Sequence, residues 1–188
     1  MNKRSALDKI AHEIETCTFC KLGKSGKAVP GEGSPNAKIM FIGEAPGKNE
    51  AKTGRPFVGR SGQLLRRAIV QLGLKEEDVY ITSPVKYLPD RGTPTEGDIA
   101  HGREHLMKQI AIIQPIIIVL LGRVAIQGVL NEKKAITKEH GQVVESKGIR
   151  YFLSYHPAAA IRFSFIKSKF LDDFTILKTF LQKLRIVK

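Results

Sequence analysis

Short, largely apolar runs alternate along this chain with longer stretches of helical spacing. Ile39 to Ile42 is too short for a helix and rich in branched and aromatic residues, so it predicts a buried strand. Val79 to Thr82 predicts a second strand, and the continuous run Ile116 to Leu121 predicts one central in a parallel sheet. Gln142 to Glu145 and Arg150 to Tyr155, joined by Ser146-Lys147-Gly148, predict a hairpin whose second arm joins the sheet. Between these runs the spacing is helical. Leu7, Ile10, Ala11 and Ile14 predict a helix capped by Ser5 and reaching about Glu15. Leu64, Leu65, Ala68, Ile69 and Leu72 predict another from Gln63, and Ile99, Leu106 and Ile110 a third, capped by Thr95 and stopped before Pro115. Gly122 turns into a helix through about Leu130, and a last basic helix over 170–184 turns Phe170, Phe174, Leu177, Phe180, Leu181 and Leu184 inward. Such alternation predicts one domain over residues 1–188, a three-layer α/β/α sandwich with a mostly parallel sheet.

The loops after the strands break this pattern. Ile42 is followed by Gly43-Glu44-Ala45-Pro46-Gly47, whose glycines let the backbone approach a ligand, and then by a loop from Gly54 to Gly62 with Pro56-Phe57 in its middle. Ser83-Pro84 ends the second strand, and His156-Pro157 follows the last. In an open parallel sheet such ends converge on one edge, so Glu44 to Phe57, Ser83, and His156 to Arg162 are predicted to share one site. Lys21 to Pro35 is rich in Gly, Lys and Pro and reads as a mobile basic loop; Leu88 to Thr95 reads as a Pro/Gly loop.

Charge adds a partner to the picture. A net charge of +13 on 188 residues favours a polyanion, most simply nucleic acid. Ile116 to Leu121 is far too short to cross a bilayer, and the N-terminus carries acids within an amphipathic pattern rather than a secretory core. Two cysteines without an export signal suggest a reducing, cytoplasmic setting, and a monomer without membrane association is expected. GEAPGKN does not form a phosphate loop, because Lys48 follows too short a glycine spacing and neither Ser nor Thr comes next. A nucleotide-binding hydrolase is disfavoured on that ground and by the lack of a nucleophile motif. Cys17-Thr18-Phe19-Cys20 is a C-x-x-C, a signal for metal or redox chemistry, outside any thioredoxin-like strand-turn context.

GEAPG, an acidic residue, then GRPFVGRSGQLL closely resembles the first motif of the uracil-DNA glycosylase superfamily, in particular its thermostable family 4 enzymes. VYITSPVK (Val79 to Lys86), TPTEGDI (Thr93 to Ile99) and HPAAAIR (His156 to Arg162) extend the resemblance in family order. It implies a central, mostly parallel four-stranded sheet and a monofunctional DNA repair glycosylase acting on a deaminated base, with uracil foremost. N-glycosidic cleavage needs an aromatic platform for a flipped base, a carboxylate near the cationic sugar and donors facing the departing base. By resemblance Glu50 is the water-activating carboxylate, His156 the donor to the base carbonyl, and Glu44 and Ala45 hold the base largely through backbone groups. Phe57 can stack on the base, and Arg162 with the segment through Lys167 and Lys169 can clamp DNA phosphates.

Two departures matter. The base-reading asparagine expected after VYIT is Ser83, whose hydroxyl is shorter and rotates. This opens other deaminated bases such as hypoxanthine, and also a noncatalytic binder of damaged or single-stranded DNA. The family holds a four-iron cluster on four cysteines. Cys17 and Cys20 match two, while Tyr87 and Gly102 occupy the other two positions, so a four-cysteine cluster is not expected. His101 and His105 lie beside the lost ligand position, one helical turn apart, and could complete a Cys2His2 zinc site. The sequence favours the other reading, in which no metal binds and packing replaces the cluster.

Overall fold

The computed structural model describes residues 2–146 and 148–188. Helix α1 (Lys3–Thr16) is capped by Asn2, whose side chain accepts the Ser5 N–H at 2.8 Å. Ser5 therefore sits inside the first turn rather than at the cap, because an Asn three residues earlier offers the same capping oxygen and lets the helix begin sooner. A single turn, α2 (Thr18–Lys21), follows, then two short strands, β1 (Lys24–Ser25) and β2 (Glu32–Gly33). The segment read as a mobile loop is thus pinned. Lys27 N–H donates to Ala51 O at 2.7 Å, Val29 N–H to Lys86 O at 2.8 Å, and Val29 is buried.

Strand β3 (Ile39–Ile42) leads into α3 (Lys48–Thr53) and α4 (Arg60–Gln71), the latter starting three residues before Gln63. Next come β4 (Tyr80–Thr82), β5 (Leu88–Pro89) and α5 (Glu96–Ile113), capped as expected by Thr95 with Asp98 completing a capping box. The chain continues through β6 (Ile117–Leu121), α6 (Arg123–Leu130), α7 (Ile136–Glu139) and the hairpin β7 (Val143–Ser146) and β8 (Ile149–Ser154), whose turn includes Lys147, outside the described residues. It ends in α8 (Pro157–Arg162) and α9 (Ser164–Lys183). Helix α9 begins well before Phe170; its first turns are basic and mostly exposed, so no apolar stripe marked them.

The main sheet runs β2-β4-β3-β6-β8-β7. Its four central strands are parallel, as predicted, and β2 and β7 add antiparallel edges, making six strands in all. Side chains alternate between the two faces, as a period of two requires. Ile39, Phe41, Val119 and Phe152 face a core with α4, α8 and α9, whereas Met40, Ile42, Leu120 and Leu153 face one with α1, α5 and α6. This is the three-layer sandwich. The chain enters at β3, winds outward to β4, then crosses back to β6 beside β3. That reversal of strand order opens a crevice at the carboxyl ends of the strands.

Candidate active site

A cavity of about 220 Å³ lies at that edge, lined among others by Glu44, Ala45, Glu50, Phe57, Ser83 and His156. A cavity of that volume has room for a nucleobase lying against Phe57. Three loops after β3, β4 and β8 bring together every residue expected to bind or cleave at the base. A larger open cleft of about 590 Å³, flanked by Lys21, Lys24 and Lys27, contains none of them.

Phe57 is placed by strain and close packing. Its φ of 53° is left-handed, a conformation that costs a non-glycine residue about 1–3 kcal/mol. Arg66 of α4 holds it there, donating from Nε to Phe57 O at 3.0 Å and from Nη2 to Pro56 O at 2.9 Å. Gly62 lies so close that a Cβ would meet the Phe57 carbonyl at 2.0 Å. At Gly43 a Cβ would stand 2.4 Å from Phe57 Cζ and 3.4 Å from His156 Nε2. The absence of a side chain at 43 thus lets the ring and the imidazole share the cavity, their centroids 5.8 Å apart.

His156 caps α8. Its Nδ1 accepts the Ala158 N–H at 3.2 Å, which puts the proton of the neutral ring on Nε2, the nitrogen facing Gly43. Burial pushes the imidazole down to about 4, so at neutral pH it is an uncharged donor. Glu50 is the most heavily bonded acid in the site. Oε1 accepts the Val58 and Gly59 N–H groups at 2.8 and 2.7 Å, and Oε2 accepts the Gly47 N–H at 3.1 Å. One side chain therefore ties the loop after β3 to the Pro56-Phe57 loop, leaving lone-pair capacity on Oε2. Glu44 is half-buried, and desolvation pushes its carboxyl up against the pull of Arg123. The Ser83 hydroxyl donates to Val85 O at 2.7 Å, so toward the cavity it offers an acceptor only.

Residues 30–179 match the sequence profile described as the uracil DNA glycosylase superfamily. The chain belongs to that superfamily. It is 42% identical over 180 residues to a type-4 uracil-DNA glycosylase of Sulfurisphaera tokodaii, covering 90% of this chain and 82% of the relative. A type-4 uracil-DNA glycosylase of Archaeoglobus fulgidus is 37% identical over 179 residues, 90% of either chain. One from Thermotoga maritima is 35% identical over 187 residues, 96% of this chain and 97% of the relative.

Beside the cavity of this superfamily member lies a basic and apolar rim. Arg162 ends α8 exposed, its guanidinium 5.3 Å from the Phe163 ring centroid. Lys167 is exposed in a shallow groove with Arg60 and Arg67. Lys169 is half-buried, its ammonium 4.9 Å from the Phe165 ring centroid and 3.5 Å from His140 Nε2. No helix among the described residues is long and apolar enough to cross a membrane.

Three supporting groups escaped the sequence reading. Arg66 looked like any helical cation, and the loop carbonyls it grips follow from no spacing. Lys86 is fully buried, and burial pushes its ammonium down to about 7. It donates to Thr82 Oγ1 at 2.7 Å, Gln109 Oε1 at 2.9 Å and Pro30 O at 3.0 Å, tying β4, α5 and the segment before β2 together behind Ser83. Asp173, also buried, accepts Ser154 Oγ–H at 2.8 Å and bonds His140 Nδ1 at 2.7 Å, fixing α9 against the end of β8. A lysine inside the apolar stretch SPVKYLP was the one available signal. Where α5 packs against the loop after Ser83, Cys17, Cys20, His101 and His105 gather as a Cys/His constellation able to hold a metal.

Proposed function

We propose that this protein is a DNA N-glycosylase that hydrolyses the bond between a deaminated base, uracil foremost, and its deoxyribose, leaving an abasic site. The observation that carries the reading is the base-sized cavity in which Phe57, the Nε2–H of His156 and the Glu50 carboxylate meet. The relatives' names support the same chemistry.

The target nucleotide leaves the duplex stack and its base enters the cavity against Phe57. As the glycosidic bond breaks, its electron pair moves onto the base, and the neutral His156 Nε2–H donates to the carbonyl oxygen that gains charge. Glu50, immobilised by three backbone donors, supplies negative charge beside the cationic sugar and orients water through Oε2. Water adds to the anomeric carbon, its proton passes to the Glu50 carboxylate, and return of that proton through solvent to the base anion completes the free base. Ser83 accepts from a ring N–H next to a carbonyl, a feature that uracil and hypoxanthine share. Arg162, Lys167 and Lys169 bind phosphates on the rim beside the cavity.

The test is a panel of single-stranded and duplex oligonucleotides carrying uracil, hypoxanthine or xanthine, with alkaline cleavage revealing abasic products. Uracil DNA should be cleaved. Tight binding to lesion DNA with no cleavage of any lesion would make the protein a noncatalytic binder instead.

A further inference from the structure

We propose that Cys17, Cys20, His101 and His105 bind one structural Zn²⁺ in place of the four-cysteine iron–sulfur cluster that the family resemblance implies. The residues do not fit that cluster. Tyr87 packs with Ile10, Ile14 and Cys20 and points its hydroxyl at the end of α1. Gly102 has no room for a thiol, because a Cβ there would lie 2.1 Å from Pro84 O.

What the chain offers instead has the form C-x2-C and H-x3-H, the ligand spacing of Cys2His2 zinc sites. Cys17 is the residue that joins α1 to α2 and Cys20 lies within α2, while His101 and His105 share one face of α5. All four ligand atoms lie within 4.8 Å of one another, and Cys17 Sγ is 3.2 Å from His101 Nε2. Ligands of a single tetrahedral zinc are about 3.3–3.8 Å apart, given bonds of about 2.0–2.3 Å. The set is compact enough to close on one ion by small side-chain movements, whereas a cluster with several irons spreads its ligands wider.

A second observation is independent of that proximity. His105 is buried, yet neither Nδ1 nor Nε2 has a hydrogen-bond partner among the described residues. A buried ring with both nitrogens unbonded is costly and needs an explanation; a metal bond supplies one. The Cys20 N–H donates to Cys17 Sγ at 3.3 Å, the kind of outer bond that orients a metal thiolate. Two thiolates and two neutral imidazoles also cancel the charge of a dipositive ion, which suits a buried centre. Binding releases the two thiol protons to solvent. The ion would clamp the α1–α2 turn onto α5, the helix that packs against the Ser83–Pro84 loop.

The test uses the full chain, purified without a histidine tag, and reads metal rather than activity, so it stands apart from the glycosylase reading. Elemental analysis should give about one zinc per chain without stoichiometric iron or sulfide, and X-ray absorption should show two sulfur and two nitrogen ligands. The metal-free protein with cobalt(II) should develop the intense visible bands of a tetrahedral thiolate site. His105→Ala and, separately, Cys17→Ser should weaken zinc binding by roughly 100-fold or more. Wild type that takes up no zinc even on reconstitution would overturn the proposal. So would iron with sulfide in the purified protein, or zinc retained at full affinity in a folded variant. If one variant does not fold, the wild-type absorption spectrum still decides by its ligand set.

Discussion

Ala158 N–H donates to His156 Nδ1 at 3.2 Å, and this one bond decides which nitrogen of the imidazole can serve a substrate. With Nδ1 an acceptor, Nε2 carries the proton. Because burial pushes the group to about 4 from an ordinary 6.5, the folded ring stays neutral while an unfolded one protonates. Nitrogen-15 shifts of His156 should show the neutral Nε2–H form down to about pH 5. An imidazolium signal at pH 6 would refute the assignment. The sign for stability follows: between pH 6.5 and about 4 the unfolded chain binds the extra proton, so this residue's contribution is lost as pH falls through that window. His156→Ala should slow single-turnover cleavage by roughly 100-fold or more, as loss of an oxyanion donor does.

Glu50 should be both a loop clamp and a catalytic group. Glu50→Gln keeps the shape but turns an amide NH2 toward backbone N–H donors on one side. It should lower unfolding stability by about 1–3 kcal/mol, the scale of lost bonds to a charged acceptor. It should also slow the chemical step by roughly 100- to 10,000-fold. A variant that melts like wild type contradicts the clamp, and one that cleaves like wild type contradicts the catalysis. Glu44→Gln serves as the contrast. Its carboxyl is already disfavoured as an anion by burial, so stability should hold or rise in urea unfolding at neutral pH.

Ser83 presents only an acceptor, so Ser83→Ala should remove one hydrogen bond to the base. At about 1 kcal/mol per bond, the loss is roughly fivefold in cleavage of uracil DNA. Ser83→Asn restores a paired donor and acceptor and should raise uracil cleavage over hypoxanthine in competition assays. Equal rates for all three proteins would remove position 83 from base recognition.

Phosphate binding by the rim predicts affinity that falls steeply with salt. Arg162→Ala should weaken lesion and non-lesion duplexes alike and lower the slope of log affinity against log salt by about one. Titrations by fluorescence anisotropy at several salt concentrations would measure it. A slope unchanged from wild type would place Arg162 off the DNA.

The layers were legible because β3 and β6 are buried on both faces, so Ile39 to Ile42 and Ile117 to Leu121 are unbroken apolar runs. Convergence of Glu44, Glu50, Phe57, Ser83 and His156 was legible because all follow strands of one parallel sheet. Other features have no such signature. Strands β1, β2 and β5 are two residues long, and pairing so short leaves no period to read. The three donors on Glu50 come from backbone groups, which every residue type supplies. The burial of Lys86 depends on acceptors from three separate segments. Even the start of α9 was hidden, because its first turns carry no inward stripe.

The close approach of Gly102 to the Pro84 carbonyl also sets the height of α5 above the Ser83–Pro84 loop. Any residue larger than glycine at 102 would place its Cβ 2.1 Å from that oxygen. A side chain at 102 could be accommodated only together with a displacement of α5 from that loop. Gly102 therefore acts as a spacer of zero length: it sets how near His101 and His105 can come to the chain that follows Ser83, and any side chain there would carry both rings away with the helix.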